Sequence, residues 1–97
     1  MKAKCWKNPH TVEAIKLIVN TNSIVQALLF TGSTCLLETD PGYQTMIDHI
    51  LALGGITLYT PYGVQFVKFN DYILKYEDGS VYPCDWRFFS KYYESED

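Results

Sequence analysis

Residues 11–19 read TVEAIKLIV, where Val12, Ala14 and one of Leu17 or Ile18 alternate with Glu13 and Lys16. The Asn8-Pro9 pair ahead of them turns the chain into an extended run, so a strand is expected here. Asn20-Thr21-Asn22-Ser23 then offers capping side chains to residues 24–30, whose apolar positions 24, 25, 28 and 29 share one helical face, and Gly32 stops that helix. Residues 34–39 are β-like but brief. Asp40-Pro41 is the expected cap and first turn of a second helix that carries Met46, Ile47, Ile50, Leu51 and Leu53 on one face and ends at Gly54-Gly55.

From Ile56 the period changes to two. Residues 56–60, 64–70, 72–77 and 80–83 are strand runs rich in Tyr, Phe, Val and Ile, parted by Pro61-Tyr62-Gly63, Asn70-Asp71 and Asp78-Gly79. The Asp-Gly pair predicts a type I′ hairpin turn. In the second run Val64, Phe66 and Lys68 oppose Gln65, Val67 and Phe69, so both faces are substantially apolar and the second one needs a cover. Asp85 caps a last helix over residues 86–93, with Phe88, Phe89, Tyr92 and Tyr93 on its apolar face. The expected fold is therefore α+β: an antiparallel β-meander of about four or five strands packed with two or three short helices, in a single domain over residues 1–97.

Composition narrows the function. A net charge of -3 and a pI near 5.2 argue against DNA or RNA as partners, because nonspecific affinity for either needs clustered Lys and Arg. The apolar stretches are too short to span a bilayer and no leader-like segment opens the sequence, which predicts a cytoplasmic chain without a membrane partner. Three cysteines, Cys5, Cys35 and Cys84, make an odd count without a CxxC pair, so free thiols are expected rather than disulfides.

Catalytic chemistry finds little purchase. His10 and His49 are the two histidines and stand in no HxxxH or HExxH arrangement, so no metal site is expected. Cys84 or Cys35 with His49 is a formal nucleophilic pair, but a lone Cys after a strand is more often a small buried hydrophobe. Glu38, Asp40, Glu77 and Asp78 fall in turns, where turn formation explains them. No glycine spacing matches a phosphate-binding loop, and neither catalytic residues nor a cofactor are expected.

What stands out is aromatic surface with sparse cations. Of the fifteen aromatic residues, twelve lie from Tyr59 onward, beside Lys68, Lys75, Lys91 and the single arginine, Arg87. Phe66, Phe69, Phe88 and Phe89 are the expected core set. Trp6, Tyr59, Tyr62, Lys68, Trp86 and Arg87 are the candidate ligand-binding set, rings for stacking and cations for phosphate. Stacking one base contributes roughly 1–3 kcal/mol and a charge-assisted contact roughly 1.5–3 kcal/mol. Nanomolar binding requires about 12 kcal/mol, so a tight binder of this size is expected to build its pocket between subunits of a homo-oligomer, dimer or tetramer.

The run Asn70-Asp71-Tyr72-Ile73-Leu74-Lys75, then Asp78-Gly79-Ser80-Val81-Tyr82-Pro83-Cys84, Phe88-Phe89 and Tyr93-Glu94, with Val12-Glu13-Ala14 near the start, carries a resemblance. It resembles a group of small phage and prophage proteins whose C-terminal halves read GD[YW]I(I)KG, then GxxYPC, a phenylalanine and YE. The chain departs from that pattern at Asn70, at Tyr76 and at Asp85-Trp86-Arg87, all turn or helix-start positions, so ligand specificity does not carry over. Small phage proteins of this kind include anti-CBASS sponges, and the resemblance implies a non-enzymatic protein of the host-cell cytoplasm that sequesters cyclic oligonucleotide signals without cleaving them. The alternatives are an inhibitor that docks a host protein through the same aromatic face, and a nuclease using His10 or His49.

Overall fold

The computed structural model describes residues 1–6, 10–32 and 38–96. Ten elements follow in order: β1 (Lys2–Cys5), β2 (Thr11–Lys16), α1 (Thr21–Phe30), α2 (Tyr43–Leu53), β3 (Gly55–Thr60), β4 (Gly63–Lys68), β5 (Tyr72–Lys75), β6 (Val81–Cys84), α3 (Trp86–Tyr92) and β7 (Tyr93–Ser95). The fold is α+β with every strand pair antiparallel, as the sequence predicts. The C-terminal half does not make one sheet, however. β3 and β4 form a separate hairpin, while β5 and β6 join the N-terminal strands and β7 in a five-stranded sheet ordered β6-β5-β2-β1-β7.

Local chemistry sets the boundaries. Asn20 caps α1, its Oδ1 accepting from the Ser23 N–H at 2.7 Å. α2 starts at Tyr43 rather than at Pro41, because Gly42 stands in the left-handed region (φ 88°) as its N-cap and Asp40 is spent on a turn to the Tyr43 N–H. Gly54, also left-handed, ends α2 as expected. The expected strand at 34–39 lies largely outside the described residues, and Glu38 and Thr39 form a turn.

Two turns differ from expectation. In the β5–β6 connection Gly79 is left-handed (φ 86°) and its N–H donates to the Tyr76 carbonyl, while Tyr76 N–H donates to Ser80. Asp78 keeps a negative φ, which excludes type I′, since that turn needs positive φ at both central residues. The Asp78 carboxylate instead accepts from the Ser80 N–H and hydroxyl, which hold it below the usual carboxylate range. Asn70-Asp71 links the two sheets: Asn70, the one described non-glycine residue with positive φ, donates to the Leu17 carbonyl, and Leu17 N–H donates back to Asp71.

Strand alternation distributes the core. One face of the large sheet presents Leu17, Ile73 and Val81 to α1 (Ile24, Ala27), α2 (Ile47, Ile50) and the inner face of the hairpin (Ile56, Leu58, Val67). The other presents Ala3, Val12, Ala14, Leu74 and Cys84 to Phe89 of α3. Lys75 ties sheet to helix, donating from Nζ to the last carbonyl of α1, Phe30, at 3.0 Å. Of the expected core phenylalanines, Phe89 is buried and Phe69 packs against the first core. Phe66 is 43% exposed and Phe88 47%. Phe66 shares the outer hairpin face with Val64, and Phe88 and Phe89 are consecutive in α3, about 100° apart around its axis, so only one of them faces the sheet.

Candidate functional site

α3 covers only part of the second sheet face, because its seven residues span about 10 Å. Beyond it the sheet is roofed by aromatic rings around a groove of about 620 Å³. β5 and β6 supply the floor: Leu74 pairs with Tyr82 across the strands, and Tyr76 follows Leu74 by two residues on the same face. Phe88 of α3 and Tyr93 at the start of β7 make one wall, and Asp85 stands where α3 begins. The tip of the β3–β4 hairpin reaches past the β6 edge and brings Tyr62 to 6.1 Å from the Tyr82 ring. That tip is tied by Thr60, whose hydroxyl accepts from the Tyr62 N–H at 3.1 Å and donates to the Gly63 carbonyl at 2.8 Å.

The tyrosines are arranged rather than merely near. Tyr76 meets Tyr82 edge-on, with centroids 5.2 Å apart and planes at 76°, the geometry aromatic pairs prefer. On its other side Tyr76 stacks on His10 at 5.2 Å, with its hydroxyl 3.3 Å from His10 Nε2. Tyr76 and Tyr93 act on one another's ionisation. Burial pushes both phenols up, the Tyr93 one further. They therefore stay neutral across the physiological range, and the groove floor carries no anion of its own. Burial, with Asp85, Asp71 and Cys5 adding to it, also pushes the Cys84 thiol up to about 11. Its Sγ lies 3.7 Å from the Asp85 carbonyl, and at neutral pH it is a protonated wall of the groove rather than a thiolate nucleophile.

Of the six residues expected to bind ligand, one lines the groove and one adjoins it. Tyr62 lines it and is 82% exposed. Arg87 adjoins it through Asp85, with Nε 3.9 Å from Asp85 Oδ1 and its guanidinium 5.5 Å over the Trp86 ring. Trp6 sits at the other end of α3, its Nε1 donating to the Lys91 carbonyl at 3.2 Å and its ring 5.9 Å from Tyr92. Tyr59, 78% exposed, lies on the outer hairpin face with Val64 opposite. Lys68 pairs with Gly55 at the end of the hairpin away from Tyr62, about 20 Å along the strand. Of the two expected cations, one chain thus keeps Arg87 beside the groove and holds Lys68 away from it. Tyr76, Tyr82, Phe88, Tyr93 and Asp85 are groove residues that sequence reasoning did not select. The signal for two of them was present: Tyr72, Leu74 and Tyr76 alternate onto the face that also carries Tyr82.

Among the described residues no group of three or more His, Cys, Asp or Glu side chains stands as a metal site, and no helix is long and apolar enough to cross a membrane. Compared with family models, curated protein sequences and solved structures, the chain finds no match.

Proposed function

We propose that this is a non-catalytic binding protein that takes a planar-ringed ligand into the tyrosine groove, and that the ligand is a cyclic oligonucleotide signal of bacterial CBASS defence, sequestered uncleaved in the host-cell cytoplasm by a phage-encoded homo-oligomer. The observation that carries this reading is the groove itself, in which Tyr62, Tyr76, Tyr82, Phe88 and Tyr93 converge. Each base stacked there contributes roughly 1–3 kcal/mol. Arg87 is the cation within reach. Its pairing with Asp85 is exposed, and such pairs contribute roughly 0.2–1 kcal/mol. A charge-assisted contact to phosphate contributes roughly 1.5–3 kcal/mol, so exchange of the one for the other is favourable.

On this reading a second copy supplies further cations and covers the outer hairpin face, where Tyr59, Val64 and Phe66 are exposed. Calorimetry against a panel of cyclic di- and trinucleotides should detect binding, with the ligand recovered intact by chromatography and Tyr62→Ala weakening affinity about tenfold. No binding across the panel, or turnover of the ligand, refutes the reading. The exposed hairpin face also supports a second reading, inhibition of a host protein by direct docking. A stoichiometric host protein retained from lysate, together with nucleotide silence, would decide for it.

A further inference from the structure

Asp85 is the single charged residue among the described residues lining the groove, and beside a nucleotide a carboxylate meets donors, either a ribose hydroxyl or a base edge. Its Oδ1 accepts the Arg87 N–H at 2.8 Å and faces Arg87 Nε at 3.9 Å. Both contacts use Oδ1, and Oδ2 enters neither. An ionised carboxylate only accepts hydrogen bonds. Of the common bases, guanine alone offers two adjacent donors, N1–H and N2–H, at the spacing of the two carboxylate oxygens. Adenine sets its N6 donor beside the N1 acceptor, which repels a carboxylate oxygen, and cytosine and uracil offer one donor next to an acceptor.

Resting on the groove as the nucleotide site, we infer that Asp85 selects guanine: the base stacks among Tyr62, Tyr82 and Phe88 with its N1–H/N2–H edge on the Asp85 carboxylate. Discrimination by a good bidentate contact corresponds to about tenfold or more in affinity. The neutral phenols of Tyr76 and Tyr93 add no competing charge.

Asp85→Asn separates this role from the fold, because Asn caps a helix as well as Asp does. Asn also presents one donor and one acceptor, the pattern that pairs with adenine. Calorimetry with cyclic diguanylate and cyclic diadenylate as probes should give at least a tenfold preference for the guanine ligand in the native protein. Asp85→Asn should erase or invert that preference at unchanged thermal stability. Equal binding of the two probes, an adenine preference, or a guanine preference that survives Asp85→Asn overturns the inference and leaves the nucleotide reading standing. Failure of both probes, and of the wider panel, removes the nucleotide reading itself.

Discussion

Cys84 shows how one residue's surroundings decide its chemistry. Its neighbours on the sheet face are Leu74 and Phe89, so ionisation puts a charge where little water reaches, and the thiol is held at about 11 against an ordinary 9.0. At pH 8 the thiolate fraction is then about a hundredfold lower than in the unfolded chain. Iodoacetamide should modify Cys84 about that much more slowly in native protein than in urea, read by mass spectrometry of the peptide. Equal rates would show that the residue is not enclosed. Gly55 is the corresponding case for the backbone: a Cβ there would collide with the Val67 carbonyl across the β3–β4 ladder. Gly55→Ala should destabilise the protein by about 1–3 kcal/mol in urea unfolding, and a neutral result would mean that the hairpin shifts freely.

At the scale of elements α3 is the informative one, because a helix of seven residues is too short to persist in water by its own hydrogen bonds. It is held at its start by two carboxylates, Asp85 on the Arg87 N–H and the buried Asp71 on the Trp86 N–H at 3.0 Å. Phe89 anchors its middle, stacked at 3.8 Å and 12° on Tyr72 and at 5.1 Å and 4° on Tyr93. Phe89→Ala should therefore cost about 3–5 kcal/mol. Phe88→Ala, at a half-exposed ring, should cost less than about 1 kcal/mol, and equal losses in urea unfolding would refute the division of labour. That division was only half legible in the sequence. Helical spacing put both phenylalanines on one apolar face, and which of them meets the sheet depends on where β7 pulls the chain. β7 and β1 themselves escaped notice for a physical reason: β1 alternates Lys2 and Lys4 with Ala3 and Cys5, and small buried residues give a weak alternation signal. The groove was hidden likewise, since it exists only because β5 and β6 pair with the N-terminal strands and the hairpin tip folds over their edge.

For the whole molecule, the buried acids on the α3 side of the sheet set how stability responds to alkali. Cys84, Tyr76 and Tyr93 all have their pKa raised by folding, so the native state holds their protons more tightly than the unfolded chain does. Such groups stabilise fully below their unfolded values and lose that contribution as pH rises through the folded ones. For Cys84 the loss begins near 9.0 and is complete above about 11, on the order of 3 kcal/mol, and the two phenols extend it to higher pH. The melting temperature should thus be level from pH 7 to 8.5 and fall steeply from pH 9 to 11. Cys84→Ala should start lower, through the lost packing, and decline less over the same interval. A parallel decline in the variant would place the alkaline sensitivity elsewhere in the molecule. Because these groups lie beneath or along the groove, a ligand seated there should bury them further and move the onset to higher pH, so the same titration repeated with bound ligand tests whether the groove is where it binds.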